Sequence, residues 1–190
     1  MPPKAKYTKE AIIRAALDVV RAGGASALTA RALGNALGSS VAPVFTVFKN
    51  MNEVQQEVLA EAKVVYQNYL QRSMAEGKYP VYKASGMGYI CFARDESELF
   101  KLLFMRDRSA EKVNDDEEIK KLLEMIQQST GLSENDARMF HTEMWLYVHG
   151  IAVTIATSYL EWNEDFINRV LSDGYMGLKA RYESTQKQEF

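Results

Sequence analysis

Few residues of this 190-residue chain are placed for catalysis. His141 and His149 stand two helical turns apart, but no Cys or carboxylate at recognisable spacing completes a metal set with them. Cys91 and Ser158 have no base at a spacing that would activate a nucleophile, and no glycine-rich phosphate loop occurs. The sequence therefore predicts no catalytic residue, no metal and no cofactor. Trp145 and His149 do share a helix face, being four residues apart. Three readings of His149 stand open: a hydrogen-bonded core histidine, a polar anchor in a ligand pocket, or a metal ligand.

The cations are unevenly distributed. The net charge is −2, yet residues 1–50 hold seven Lys and Arg against two acids, a net +5, which leaves −7 for the remainder. A basic end of this kind suits phosphate binding; the plainer reading is a solubilising tail. Hydrophobic residues make up 47 % of the chain, enough for a sizeable core. No apolar run approaches the ~20 residues needed to span a bilayer, and MPPKAKYTKE lacks the apolar centre of a signal peptide. The single Cys91 allows no internal disulfide and suits a reducing, cytoplasmic setting.

The element that would position the basic end is the stretch from Ala27 to Val54. Thr29 can cap a helix whose apolar positions are Ala32, Leu33, Ala36 and Leu37. Gly38 ends it, and Ser40 can cap a second helix, expected over roughly Val41 to Phe48, with Pro43 tolerated in its first turn. Helix, glycine-containing turn and helix make the helix-turn-helix pattern, whose second helix enters a DNA major groove. In front of it, Thr8 opens a helix to about Ala22 with the stripe Ile12, Ile13, Ala16, Leu17 and Val20. Met1 to Lys6 form an arm from which Lys4 and Lys6 can reach phosphates.

Residues Leu28 to Val54 resemble the DNA-binding domain of TetR-family transcriptional regulators. The resemblance rests on Thr29, Arg31-Ala32-Leu33, Leu37-Gly38, Ser40, Phe45 and Phe48 at the family's spacing. It implies a dimer on a palindromic double-stranded DNA operator. Val41, Ala42, Pro43 and Thr46 are the groove-facing candidates, and Phe45 and Phe48 either face inward or pack on sugar–phosphate. Thr29, Arg31, Ser39, Ser40 and Lys49 complete the DNA-binding set, chiefly as phosphate-positioning groups. The family usually has Tyr where Phe45 stands, and often polar or basic residues where Val41 and Val47 stand. Readout would then fall on thymine methyl groups, on Thr46 or on DNA shape.

Further along, a helix from Met51 or Asn52 runs past Leu70, followed by a connection at Gly77–Pro80. Helices are expected over Val81 to Ala93, Ser97 to Met105, Asp115 to about Gly131, Ser133 to Ser158 and Asn163 to Tyr182. Arg106 to Asn114 reads as a loop and ESTQKQEF as a frayed end. The expected architecture is all-α, about nine helices. It comprises a three-helix helix-turn-helix DNA-binding domain, 1–52, and a helical ligand-binding and dimerisation domain, 53–190.

Trp145-x-x-x-His149-Gly150 resembles a motif of one group of TetR-like sensor domains, with Gly150 admitting a neighbouring helix. The resemblance implies that the last two helices pair with their copies. Ala152, Ile155, Ala156 and Tyr159 on one helix, and Phe166, Val170, Tyr175 and Leu178 on the other, would supply that bundle. Tyr66, Tyr69, Phe92, Phe104, Met125, Trp145 and His149 are the ligand-binding candidates, with Phe100, Met105 and Tyr147 as further lining; each alone reads more readily as core. The function expected is a cytoplasmic repressor, not an enzyme, released by a small apolar or aromatic effector. The alternative is a helical-bundle small-molecule carrier or enzyme without sequence-specific DNA binding.

Overall fold

Helix starts in this chain coincide with short polar side chains that accept otherwise orphaned N–H groups. Thr8 accepts from Ala11 N–H at 3.2 Å ahead of α1 (Lys9–Gly23), and Thr29 from Ala32 N–H at 3.2 Å ahead of α2 (Ala30–Ala36). Asn50 accepts from Glu53 N–H ahead of α3 (Met51–Ala75). Gly77 ends that chain run at φ +68°, and Pro80 precedes α4 (Val81–Asp95). After α5 (Ser97–Phe104) and α6 (Glu117–Thr130), Ser133 accepts from Asp136 N–H and caps α7 (Glu134–Ala156). Asn163 accepts from Phe166 N–H ahead of α8 (Glu164–Gln186).

The computed structural model describes residues 7–109 and 117–186. Among them it has eight α-helices, two 3₁₀ turns and no strand, which is the all-α architecture expected. The arm carrying Lys4 and Lys6, most of the loop after Arg106, the acids Asp115 and Asp116, and the end of the ESTQKQEF tail lie outside the described residues.

The chain divides into two compact units, Met1–Asn68 with Asp95–Asp107, and Tyr69–Arg94 with Arg108–Phe190. In the first, α1 packs against α2 and α5. Ile12, Val20, Leu33, Val44, Phe48, Val54, Leu99 and Phe100 are buried there. Each such side chain contributes about 1.5–3 kcal/mol on burial. That packing, rather than intrinsic propensity, holds the seven-residue α2, because an isolated helix so short is unstable in water. Arg21 ties α1 to the residue before α5 through two 2.8 Å hydrogen bonds to the Glu96 carboxylate.

In the second unit, α6 packs on α7 and α7 on α8. Leu123, Ile126, Leu132, Ala137, Phe140 and Met144 form its core, with Tyr82, Tyr175, Leu178 and Tyr182 against them. Phe140 meets the Tyr175 ring edge-on at 5.3 Å.

Four local expectations are corrected. The stretch Val41 to Phe48 is not an α-helix; only a 3₁₀ turn, Val44–Thr46, forms. Four β-branched residues (Val41, Val44, Thr46, Val47) and a proline with no N–H disfavour a regular helix there. On α2 the buried residues are Leu33 and Gly34, while Ala36 is exposed. Ala152 and Ala156 are buried within the chain, so they are not free to meet a copy, while Tyr175 and Leu178 are half-buried and pack in part on its own core. Finally, a side chain at Gly150 would meet no atom within 4 Å. The close helix approach falls at Gly88 instead, where a Cβ would stand 2.9 Å from the Tyr69 carbonyl oxygen.

Candidate nucleic-acid interface

The segment after α2 folds back over that helix. Gly38 turns the chain at φ +59°, and Ser39 N–H returns to the Gly34 carbonyl at 3.0 Å. Gly34 has no Cβ, and the turn occupies that space: a Cβ would lie 3.1 Å from both the Ser39 carbonyl oxygen and the Val41 nitrogen. Tyr7 reaches the same corner and donates its hydroxyl proton to the Leu37 carbonyl at 2.7 Å, occupying an otherwise open acceptor at the end of α2. Val44 and Phe48, four apart and joined by a 3.0 Å backbone bond, both point into the core.

This inward pair sets the exposure of the rest. Phe45 is turned outward, 42 % exposed, and Ala42 and Thr46 are exposed beside it. Val41, Pro43 and Ser39 are half-buried, and Ser40 is exposed with no α-helix following it. Phe48, a candidate for the DNA-facing set, is 2 % exposed and is core, because its ring fills the space beneath the turn. Thr46 donates its hydroxyl proton to the Pro43 carbonyl at 2.7 Å, so that proton is spent inside the turn. Thr29 is exposed while its Oγ1 serves as the cap of α2.

The basic residues separate into two kinds. Lys9 is paired with Glu57 at 2.6 Å, and that bond holds its ammonium above the ordinary lysine range. Arg21 is bound by Glu96 and Asp18. Arg14, Arg31 and Lys49 are exposed and make no side-chain hydrogen bond or ion pair among the described residues. A count of charges along residues 1–50 therefore overstates the available positive field, because Glu57 and Glu96 arrive from later in the chain. At Lys49 the backbone N–H donates to Glu53 at 2.7 Å, which fixes the residue and leaves its ammonium to solvent. Gly34, Tyr7 and Glu53 were not among the sequence candidates. Asn50-x-x-Glu53 is a capping pattern visible in the sequence; Tyr7 and Gly34 carry no local signal.

The ligand-binding candidates group by ring contact. Tyr66 and Phe104 meet edge-on at 5.2 Å in the first unit. In the second, Tyr69 and Phe92 meet at 5.6 Å, and Trp145 and His149 stack at 4.9 Å with planes 13° apart. Met125 is half-buried on α6. Trp145 is 39 % exposed, and Met105 and Tyr147 are exposed as well. His149 Nδ1 lies 2.8 Å from the Tyr89 hydroxyl, and burial with Arg108 nearby holds its pKa below the ordinary imidazole value. A second pair repeats this two turns away, Tyr82 with His141 Nδ1 at 3.1 Å, and burial lowers the His141 pKa in the same way. Lys83 on α4 inserts its ammonium among the Asn168 carbonyl and side-chain oxygens and the Ser172 hydroxyl of α8. Among the described residues no group of three His, Cys, Asp or Glu could hold a metal ion, and no helix is long and apolar enough to cross a membrane.

No family model matches the sequence, and no curated protein matches it. Solved structures do. A TetR-family protein from Vibrio parahaemolyticus matches with a TM-score of 0.62 at 13 % identity, over 88 % of this chain and 96 % of that one. A variant TetR from Acinetobacter baumannii AYE, in complex with minocycline, matches with a TM-score of 0.57 at 18 % identity, over 95 % of this chain and 98 % of that one. The fold is that of the TetR-family regulators, along nearly the whole chain.

Proposed function

We propose that the chain is a ligand-responsive transcriptional regulator of the TetR type, a repressor rather than an enzyme. It binds a palindromic operator as a homodimer in the cytoplasm and is released by a small apolar or aromatic effector. The division of labour is 1–52 for DNA and 53–190 for ligand and dimer. The observation that carries this reading is the outward turn Ala42–Phe45–Thr46, set along the chain between two exposed cations, Arg31 and Lys49, unpaired among the described residues. Backbone-directed cations beside a reading segment are what duplex DNA requires. Dimerisation is supported by apolar side chains left on the surface of α7 and α8, with Leu146 58 % and Met176 61 % exposed. An effector near Trp145 and His149 would have to prefer the state that does not bind operator.

Selection of duplexes from a randomised library by the purified chain, at two salt concentrations, tests this. An enriched palindrome with half-sites about one helical turn apart is the expected result. Salt-sensitive binding without enrichment would reject the operator reader.

A further inference from the structure

The reading turn lacks the groups that make most sequence-specific contacts. Between Val41 and Val47 only Thr46 has a polar side-chain atom, and its proton is committed to the Pro43 carbonyl. The paired contacts of Arg with guanine or of Asn and Gln with adenine are therefore closed to this segment. Ala42, Phe45 and Thr46 remain exposed, which are the apolar side-chain types that contact the C5 methyl of thymine in the major groove. The buried Val44 and Phe48 clamp the turn from beneath, so Phe45 is presented on a fixed base. Arg31 and Lys49, unpaired among the described residues, supply the complementary charge for the phosphates on either side.

We infer that Ala42, Phe45 and Thr46 read duplex DNA through thymine C5 methyl groups, so that the operator is recognised by its methyl pattern rather than by hydrogen bonds to base edges. This rests on the DNA-reading function proposed above. The test uses the duplex that the full chain selects from a randomised library, resynthesised with deoxyuridine for thymidine, which removes only the methyl. Deoxyuridine weakens binding about fourfold for each contacted methyl, the factor expected for one apolar carbon withdrawn from burial. Phe45→Ala lowers the ratio of thymidine to deoxyuridine affinity toward one. Thr46→Ser, which keeps the hydroxyl and removes the methyl, lowers it in part.

Equal binding of the two duplexes by the parent chain overturns the inference and leaves shape as the reader. An unchanged ratio in both variants overturns it as well, even if absolute affinity falls. A library from which no duplex is enriched rejects the DNA-reading function itself, a different failure.

Discussion

The candidate DNA-reading corner of the first unit and the helix bundle of the second are held by different kinds of interaction. In the first, the candidate DNA-reading corner is built almost entirely from neighbours in the chain. Thr29 caps α2, Gly34 makes room for Ser39 to Val41, Gly38 turns the backbone, and Val44 and Phe48 anchor the turn. In the second, polar side chains meet across helices far apart in sequence: Tyr82 with His141, Tyr89 with His149, and Lys83 with Asn168 and Ser172. A corner made of local contacts presents a fixed surface. A bundle whose helices are bridged by half-buried hydroxyl, imidazole and ammonium groups has helix alignment at stake in each pair.

The largest expected effect lies in the second unit. Phe140 is fully buried against Tyr175 and Tyr182, so Phe140→Ala should cost about 3–5 kcal/mol in denaturant unfolding. A loss below about 1 kcal/mol, well under the usual cost of such a cavity, would mean that the α6, α7 and α8 packing is not a core. In the first unit, Gly34→Val forces the turn off α2. The overpacking cost is about 1–3 kcal/mol, and affinity for the selected duplex should fall at least tenfold, since the reading surface moves. Unchanged affinity would show that the turn does not need this seat.

A smaller effect is expected from acid. Burial, with Arg138 beside it, holds His141 below the ordinary value of 6.5. The unfolded chain then binds the proton first as pH falls below about 6.5. Stability from the neutral His141 is complete above that pH and declines as pH drops toward the folded-state value. His141→Gln, which can still hydrogen-bond Tyr82, should flatten the fall in thermal midpoint between pH 7 and pH 5, and an identical slope would remove His141 from the acid response. The smallest effect separates the two kinds of cation. Lys49→Ala should flatten the salt dependence of duplex binding by about one unit. Lys9→Ala should leave the slope in place, because Glu57 already neutralises Lys9. Equal slopes in both variants would erase that distinction.

The fold was largely legible in the sequence. Thr8, Thr29, Ser133 and Asn163 cap helices whose starts the sequence places at those residues, because a cap is decided within about four residues of chain. The apolar stripe of α1 is readable for the same reason, its periodicity lying within a few turns of chain. An α-helix over Val41 to Phe48 does not form because β-branched residues and Pro43 disfavour it, although the motif spacing points to one. The candidate site was legible only in part. The sequence picks out the turn as a stretch, but which of its residues face out depends on Val44 and Phe48 finding the core.

By itself, then, the sequence determined where most helices start and stop and the all-α class, since each depends on torsional preference and hydrogen bonds between near neighbours. Tertiary structure alone decided which cations remain available, which ring stands out from the reading turn, and which tyrosine meets which histidine. Those outcomes depend on carboxylates, rings and hydroxyls brought together from positions as many as 89 residues apart, as with Lys83 and Ser172, and no local pattern encodes that distance.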